Sequence, residues 1–317
     1  MFGATAAGFR RALGSPLLIV AAWLLTVFAA LPVTVVLGNS LQASFGRTLA
    51  AEPMAEGFDE TWYGEYRGSA KGIEKSFDPT LAGVGGVLAN LEAWVTGSTT
   101  ERFAGLIGVA LLFAVIWALF LGGAIERYAY TDGPRGVTAI ISAGGRYWGR
   151  FVRLAVLSGV VYYGVYRLHG WLMDVLEDRL VDVTEETRAM WATLAVYAGT
   201  ALILVLVRAC FDYAKIAIVI EDRRSALLSA VQGIAFVVTH PISAAGVVLL
   251  IAVVAAVPLA LYTWMRPSVV TPGWGGVIYV VLVGQAWMFA RLTLRLTLLG
   301  AQTALYQSAG STAPGAK

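Results

Sequence analysis

The sequence predicts an all-α polytopic membrane bundle of six transmembrane helices, and three observations lead to this fold class. First, 58% of the 317 residues are hydrophobic and 14% are charged, whereas soluble domains are about 45–50% apolar and about 25% charged. Second, six stretches are long and apolar enough to cross a bilayer about 30 Å thick. Third, the charge of the connecting segments alternates in sign. Soluble enzymes, coiled coils and disulfide scaffolds are therefore excluded.

The six predicted spans are helices, because a backbone in lipid must satisfy its own hydrogen bonds. They cover residues 15–37, 103–125, 151–173, 190–220, 242–264 and 275–307, the last with an extension beyond the bilayer. Amphipathic cytoplasmic segments are expected at 1–14, 126–150 and 221–241. The outer side is expected to carry an acidic segment with short helices at 38–102, an acidic loop at 174–189 and a loop at 265–274. Residues 308–317 are expected to form a disordered tail.

The charge balance of the connecting segments predicts the orientation. It is −4 over residues 38–102, +3 over 126–153, −4 over 174–189 and +1 over 208–240. Because lysine and arginine stay on the cytoplasmic side, both termini are expected in the cytoplasm and the two acidic segments outside. Only four of the 23 basic residues are lysines, a composition typical of a GC-rich bacterial genome. We therefore expect a multi-pass protein of the bacterial inner membrane.

Two similar segments precede outward spans and predict an internal repeat. They are Thr138-Ala-Ile-Ile-Ser-Ala143 and Ser225-Ala-Leu-Leu-Ser-Ala230, and residues 4–13 resemble a degenerate third copy. Each unit would contain an amphipathic helix, an outward span and a returning span, which gives three hairpins. Chance similarity in Ala- and Leu-rich sequence is the alternative. The amphipathic helices are expected to lie in the membrane interface with arginines near the headgroups; a groove that docks a partner is the other reading.

Several motifs carry a resemblance to a known family. They are Phe211-Asp-Tyr-Ala-Lys-Ile216, Glu221-Asp-Arg-Arg-Ser225, His240-Pro241, Gly122-Gly-Ala-Ile-Glu-Arg-Tyr128 and Gly145-Arg-Tyr-Trp148. With the six-span layout, they resemble an uncharacterised bacterial family of six-helix integral inner-membrane proteins. That family is distantly similar to the membrane region that accompanies some glycerophosphodiester phosphodiesterases. The resemblance implies the membrane fold but no activity, since no catalytic domain is attached.

Ionisable residues inside the spans predict a polar cluster. Arg208, Asp212 and Lys215 are spaced four and three apart and share one helix face. Arg291 and Arg295 lie four apart in the sixth span, and Glu126 ends the second. Such groups usually face the bundle interior, so we expect Asp212 and Glu126 to pair with these arginines in a buried polar belt. The alternatives are a proton or anion pathway and the snorkelling of long side chains to the interface. Gln285, in mid-span, is expected to bond to a neighbouring helix.

The outer segment 38–102 is too small and too polar for an independent core. Acidic residues alternate there with Trp62, Tyr63 and Tyr66, a pattern typical of a belt of aromatic residues at the membrane interface. The alternative is that these three residues face a periplasmic partner or a cationic ligand. Residues 81–95 have apolar positions at helical spacing and are expected to form an amphipathic helix on the outer leaflet.

Motifs for catalysis are missing from the sequence. His169 and His240 are the only histidines and are expected on opposite sides of the membrane, so no catalytic triad or metal site is expected. Cys210 lies in an apolar run and is expected to be an inert thiol. No phosphate-binding loop or basic nucleic-acid-binding domain is present. We expect no enzyme activity, no catalytic, metal or cofactor residues, and no nucleic-acid partner.

The expected function is a non-enzymatic scaffold or accessory subunit that organises membrane lipids or partner proteins. A small-solute transporter or permease component is the alternative, because transporters often contain internal repeats; a membrane-embedded enzyme is third. A water-accessible cavity that reaches the midplane and is lined by Asp212, Arg291 or Gln285 would count against the scaffold. A tightly packed bundle with lipid-filled grooves would count against the transporter.

Overall fold

The computed structural model describes residues 1–46, 59–77, 84–99, 104–130, 135–181, 185–265 and 273–311. Within these ranges the chain is 92% helical and contains no strand, so the predicted all-α class is confirmed. The helices are α1 (Phe2–Leu13), α2 (Pro16–Phe45), α3 (Glu60–Ser69), α4 (Val84–Thr96), α5 (Ile107–Ala129), α6 (Val137–Leu180), α7 (Glu186–Ile220), α8 (Ala226–Thr239), α9 (Pro241–Met265) and α10 (Trp274–Ser311). Short 3₁₀ turns cover Gly72–Ser76 and Ala104–Leu106.

Six of these helices, α2, α5, α6, α7, α9 and α10, are long and apolar enough to cross a membrane. Each coincides with one of the six predicted spans. These are the features of a multi-pass integral membrane protein. The predicted outer segment contains α3 and α4, and part of it lies outside the described residues, as does most of the 265–274 loop. The prediction of a disordered tail over 308–317 is wrong for residues 308–311, because α10 continues to Ser311; residues 312–317 lie outside the described residues.

The junctions before the outward spans differ among the three predicted units. Pro16 begins α2 and Pro241 begins α9, so α1 and α8 are separate helices, because proline cannot continue a preceding helix. No proline occurs between Val137 and Leu180, and α6 runs through 44 residues without a break, a length of about 66 Å. The expected amphipathic segment, span and start of the acidic loop are therefore one continuous helix.

Each helix that precedes an outward span packs on the returning span of another unit. The first turns of α6 pack on α5, α8 packs on α7, and α1 packs on α10. The last contact closes the three units into a cycle. We define the terminal end of the bundle as the end that contains α1, α8, the start of α6 and the ends of α5, α7 and α10. The opposite end, which carries α3 and α4, is the far end.

Three glycines form the contacts of this cycle. A Cβ atom at Gly144 of α6 would overlap the carbonyl oxygen of Leu119 in α5. A Cβ atom at Gly233 of α8 would overlap the carbonyl oxygen of Cys210, and one at Gly8 of α1 would overlap that of Thr297. Glycine is required at these positions because the two backbones touch. In the predicted pairing of residues 138–143 with 225–230, Gly144 falls opposite Val231 and not Gly233. The three glycine contacts therefore share a geometry but not the register of the predicted sequence repeat.

The far end has a smaller packing unit. Trp62 of α3 stacks with Phe45 at the end of α2 and with Tyr66, and Phe77 contacts both Trp62 and Tyr66 edge-on. The helix α4 packs on α6 and α7, and its residues Ala93 and Val95 are buried. Thus α4 rests on the spans through one face, while Leu88 and Leu91 on another face remain exposed.

Candidate functional site

A partly open cavity of about 520 Å³ lies among α5, α6, α7 and α10. Its wall is mostly apolar and includes Phe113, Leu121, Leu154 and Leu299. Trp94 of α4 contributes to the lining from the far end. The volume falls within the range of about 300–1,000 Å³ that small-molecule sites occupy.

The polar part of the lining begins on α7, where the spacing of four and three places three charged groups on one face. The Lys215 ammonium donates to Asp212 Oδ1 at 2.6 Å. Arg208 Nε lies 3.9 Å from Asp212 Oδ2. From α10, the side chain of Gln302 adjoins the same carboxylate. Asp212 is thus surrounded by partners, and its tightest bond is to Lys215.

Arg295 of α10 reaches the cavity opposite α7. Its guanidinium carbon lies 4.0 Å from the centroid of the Trp117 indole on α5, a cation–π geometry. Arg208 is within electrostatic range of Arg295. Among the described residues, Arg295 forms no ion pair with a carboxylate. The cavity therefore holds three basic side chains, Arg208, Lys215 and Arg295, which we call the basic cluster, against one carboxylate.

Residues of all three returning spans line the cavity. Trp117, Arg208 and Arg295 each stand two residues before the residue whose carbonyl meets a glycine in the cycle. They are equivalent positions in the three returning spans. One helical turn further on, Leu121, Asp212 and Leu299 are also equivalent, and all three line the cavity. The shared geometry thus brings matching positions of three helices to one site.

Below the cavity, hydrogen bonds join the ends of the three returning spans. Tyr130 after α5 donates to the carbonyl oxygen of Ile220 in α7 at 3.2 Å. Tyr306 of α10 donates to the carboxylate of Glu221 after α7. Gln307 of α10 donates to the carbonyl oxygen of Ala129 in α5 at 2.7 Å. These bonds, which we call the terminal ring, close the bundle at the terminal end.

Comparisons with known proteins give no information on what this site binds. The chain matches no family model, no curated protein and no solved structure. Among the described residues, no group of three or more histidine, cysteine, aspartate or glutamate side chains could hold a metal ion. The arrangement can bind an anion at the basic cluster and an apolar group against the remaining wall.

The structure brings together four of the six residues predicted for the polar cluster. Arg208, Asp212, Lys215 and Arg295 meet at the cavity. Glu126 does not join them; it accepts a 2.5 Å bond from Arg146, because the start of α6 lies beside the end of α5. Arg291 lies one turn before Arg295, is exposed and does not line the cavity.

Gln285 behaves as predicted. Its Oε1 accepts a hydrogen bond of 2.7 Å from the indole nitrogen of Trp23 on α2. The bond joins the first and last spans, so the prediction of an interhelical contact is confirmed. Gln285 does not line the cavity.

The aromatic residues predicted to face a partner are turned towards the protein instead. Trp62 and Tyr66 are buried, and Tyr63 is half-buried. The Trp62 indole donates to Ser44 Oγ at 3.1 Å, and the Tyr66 hydroxyl lies 3.2 Å from Ser40 Oγ. The physical reason is that α2 continues beyond the membrane to Phe45, which gives these rings an apolar surface to cover.

The uncharged residues of the cavity lining were not predicted from the sequence. They include Trp94, Trp117, Tyr162 and Gln302. Nothing in their local sequence marks Trp94 or Tyr162. Trp117 could have been found by aligning the three returning spans, since it occupies the position of Arg208 and Arg295. Gln302 occupies the position of Lys215 in the same alignment.

Proposed function

We propose that this chain is a non-enzymatic integral membrane protein that organises membrane lipids, as a scaffold or accessory subunit. The observation that carries this proposal is the cavity, whose wall is mostly apolar and whose charged residues form an excess of positive charge. An apolar wall with a few placed polar groups suits a ligand that is itself amphipathic. A lipid has that character, whereas a small hydrophilic solute does not.

The terminal ring supports a fixed role over a conducting one. Any solute that crossed the bundle would have to separate the ends of the returning spans, where Tyr130, Tyr306 and Gln307 cross-link them. It would also have to part the glycine contacts of α1, α6 and α8. A scaffold needs neither change, because its ligand can enter from the membrane.

The orientation and location belong to the same proposal. The terminal end carries Arg146, Arg150, Arg223 and Arg224, all in connecting segments or helix ends outside the apolar cores. Basic residues of this kind are retained in the cytoplasm. We place the terminal end in the cytoplasm of a bacterial cell, with the protein in the inner membrane and both described chain ends on the cytoplasmic side.

A small-anion permease is the second candidate, and one observation favours it. The cavity is lined by Asp212 and the basic cluster, and it extends along the spans towards Trp94 on the far-end side. Charged groups of this kind in a membrane often mark an ion path. However, Arg291 and Gln285, the other residues expected along such a path, lie outside the lining.

Reconstitution into liposomes separates the two candidates. We expect no efflux of chloride or phosphate above that of protein-free vesicles, and lipids that remain bound through gentle detergent extraction, as measured by mass spectrometry. The double variant Tyr130→Phe/Tyr306→Phe weakens the terminal ring and serves as the matched control. Efflux through the wild type that rises in this variant would support the permease and refute the scaffold.

A further inference from the structure

We infer that the cavity binds an anionic phospholipid, with the phosphate at Arg295, Arg208 and the indole N–H of Trp117 and part of an acyl chain along the apolar wall. This inference rests on the proposed function and deepens it by naming the ligand class. Four features of the described residues support it: the charge excess, an unused donor, the shape of the wall and the depth of the site.

The charge excess requires an anion. Asp212 is the one carboxylate of the lining, and its short bond goes to Lys215. Arg208 stands 3.9 Å away from it, and Arg295 has no carboxylate partner among the described residues. Two guanidinium groups that share a membrane cavity repel each other, and an uncompensated charge there is costly. A phosphate between them removes both penalties and can accept paired hydrogen bonds from each fork.

The unused donor is the indole N–H of Trp117. The residue is only 5% exposed and lines the cavity. Its Nε1 has no hydrogen-bond acceptor in the part of the chain that the structure describes. Buried polar groups are normally bonded. Trp117 Nε1 is one of six buried side-chain polar atoms without a partner among the described residues, and Gln302 Nε2, which also belongs to the cavity lining, is another; the oxygens of a phosphate would supply acceptors for donors of this kind.

The wall explains why the ligand is a lipid and not a free anion. Phe113, Leu121, Leu154 and Leu299 give the cavity an apolar surface far larger than a phosphate group needs. A soluble anion would leave this surface without a partner, whereas an acyl chain covers it. An acyl chain along this wall would have apolar contacts on the sides that face these residues.

The depth of the site fits one leaflet. Arg208 and Arg295 lie in the terminal halves of α7 and α10, on the side that we place in the cytoplasm. Anionic lipids give the cytoplasmic leaflet its negative surface potential. The headgroup would therefore reach the basic cluster from the adjoining leaflet without crossing the membrane.

Native mass spectrometry of the full chain in nanodiscs tests the inference. The nanodiscs contain phosphatidylcholine with a small fraction of phosphatidylglycerol, which is the probe. We expect selective retention of phosphatidylglycerol by the wild type. Arg295→Gln should weaken this retention about tenfold, the loss of one charge-assisted pair, and Trp117→Phe about threefold to fivefold, the loss of one neutral hydrogen bond. The matched control Arg291→Gln removes a charge one turn away and should change retention less than about twofold.

Two results would overturn the inference. One is equal retention of phosphatidylglycerol by the wild type, Arg295→Gln and Trp117→Phe; the other is its displacement by inorganic phosphate at millimolar concentration, which would make the ligand a soluble anion. If Arg295→Gln does not fold, Arg208→Gln, whose side chain is 57% exposed, replaces it with the same expectation. Lipid retention that no variant changes would refute this site but not the scaffold. Solute efflux with an intact lipid site would refute the scaffold but not the site.

Discussion

The terminal and far halves of the bundle differ in packing. In α10, Leu292 and Leu296 near the terminal end are buried, while Val277 and Leu282 near the far end are about half exposed or more. Lipid tails are as apolar as leucine, so the hydrophobic effect alone does not drive two membrane helices to associate. Helices meet where small residues let backbones approach and where polar groups bond across. The cycle of glycine contacts and the terminal ring supply both at the terminal end, whereas among the described residues in the far halves of α6 and α7 a single buried bond, between His169 and Thr200 at 2.9 Å, joins the two spans.

The largest effect is expected at Asp212, whose side chain is 18% exposed. Replacing Asp212 by Asn leaves Lys215 and Arg208 without their carboxylate and should lower the free energy of unfolding by about 3 kcal/mol. Thermal unfolding in detergent, followed by tryptophan fluorescence, measures the change. The double variant Asp212→Asn/Lys215→Met should recover part of the loss.

The matched control for Asp212 is Glu126→Gln, because the partner of Glu126, Arg146, has a side chain that is 62% exposed. Its effect should stay below about 1 kcal/mol. Unchanged folding and accumulation of Asp212→Asn would show that the cluster has no structural role, and the terminal half would then owe its packing to the glycine contacts alone.

The next effect concerns two neighbouring glycines in α6. A Cβ atom at Gly144 overlaps the carbonyl oxygen of Leu119, whereas one at Gly145 meets nothing within 4 Å. Gly144→Ala should destabilise the protein by about 1–3 kcal/mol. Gly145→Ala should leave stability unchanged or raise it by up to about 1 kcal/mol, since alanine is the better helix former. Equal melting temperatures for the two variants would contradict the close approach of α5 and α6.

A smaller difference is expected between two leucines of α10. Leu296 is 1% exposed and Leu282 is 63% exposed. Leu296→Ala should lower the free energy of unfolding by about 1–3 kcal/mol, less than in a soluble core, because lipid removes most of the transfer term and leaves the packing term. Leu282→Ala should change it by less than about 0.5 kcal/mol. A comparable loss at Leu282 would mean that the far half is also packed.

The smallest effect is a pH dependence at the terminal end. Arg150 donates to Asp222 Oδ1 at 2.6 Å, and this hydrogen bond lowers the pKa of the Asp222 carboxyl below its ordinary value. A lowered folded-state pKa gives stability that is present above the ordinary aspartate pKa of about 3.9 and is lost as the pH falls through the folded value. Melting curves of the wild type and Asp222→Asn should therefore differ slightly at pH 6 and approach each other as the pH falls below about 3.9. A difference that grows as the pH falls would contradict the assignment to this carboxylate.

Much of the fold follows from local properties of the chain. The six spans were predictable because each is a continuous apolar stretch, and the breaks before α2 and α9 follow from Pro16 and Pro241. The continuity of α6 was not predicted. The charges of Arg150 and Arg153 indicated a boundary between a cytoplasmic segment and a span, but arginine does not interrupt a helix. Charge influences where a segment lies relative to lipid, but a charged residue does not remove a backbone hydrogen bond and so does not end a helix.

The site was predictable in part for the same reason. Arg208, Asp212 and Lys215 belong to one helix, so their spacing in the sequence determines that their side chains lie close together. Trp117 and Arg295 meet only because α5 and α10 pack against each other. Such a long-range contact cannot be predicted from a local sequence pattern. Glu126 shows the converse: its position at the end of α5 was clear, but its partner depends on where α6 begins.

The contact between α1 and α10 has a consequence for biogenesis. Of the described helices, α1 is the first to be synthesised and α10 the last, yet Gly8 rests on Thr297 and Arg11 donates to Gln307. The cycle therefore cannot close until α10 has been synthesised. Assembly of the terminal end becomes a single late event, in which the arrival of one helix completes the last contact of the cycle and two of the three bonds of the terminal ring.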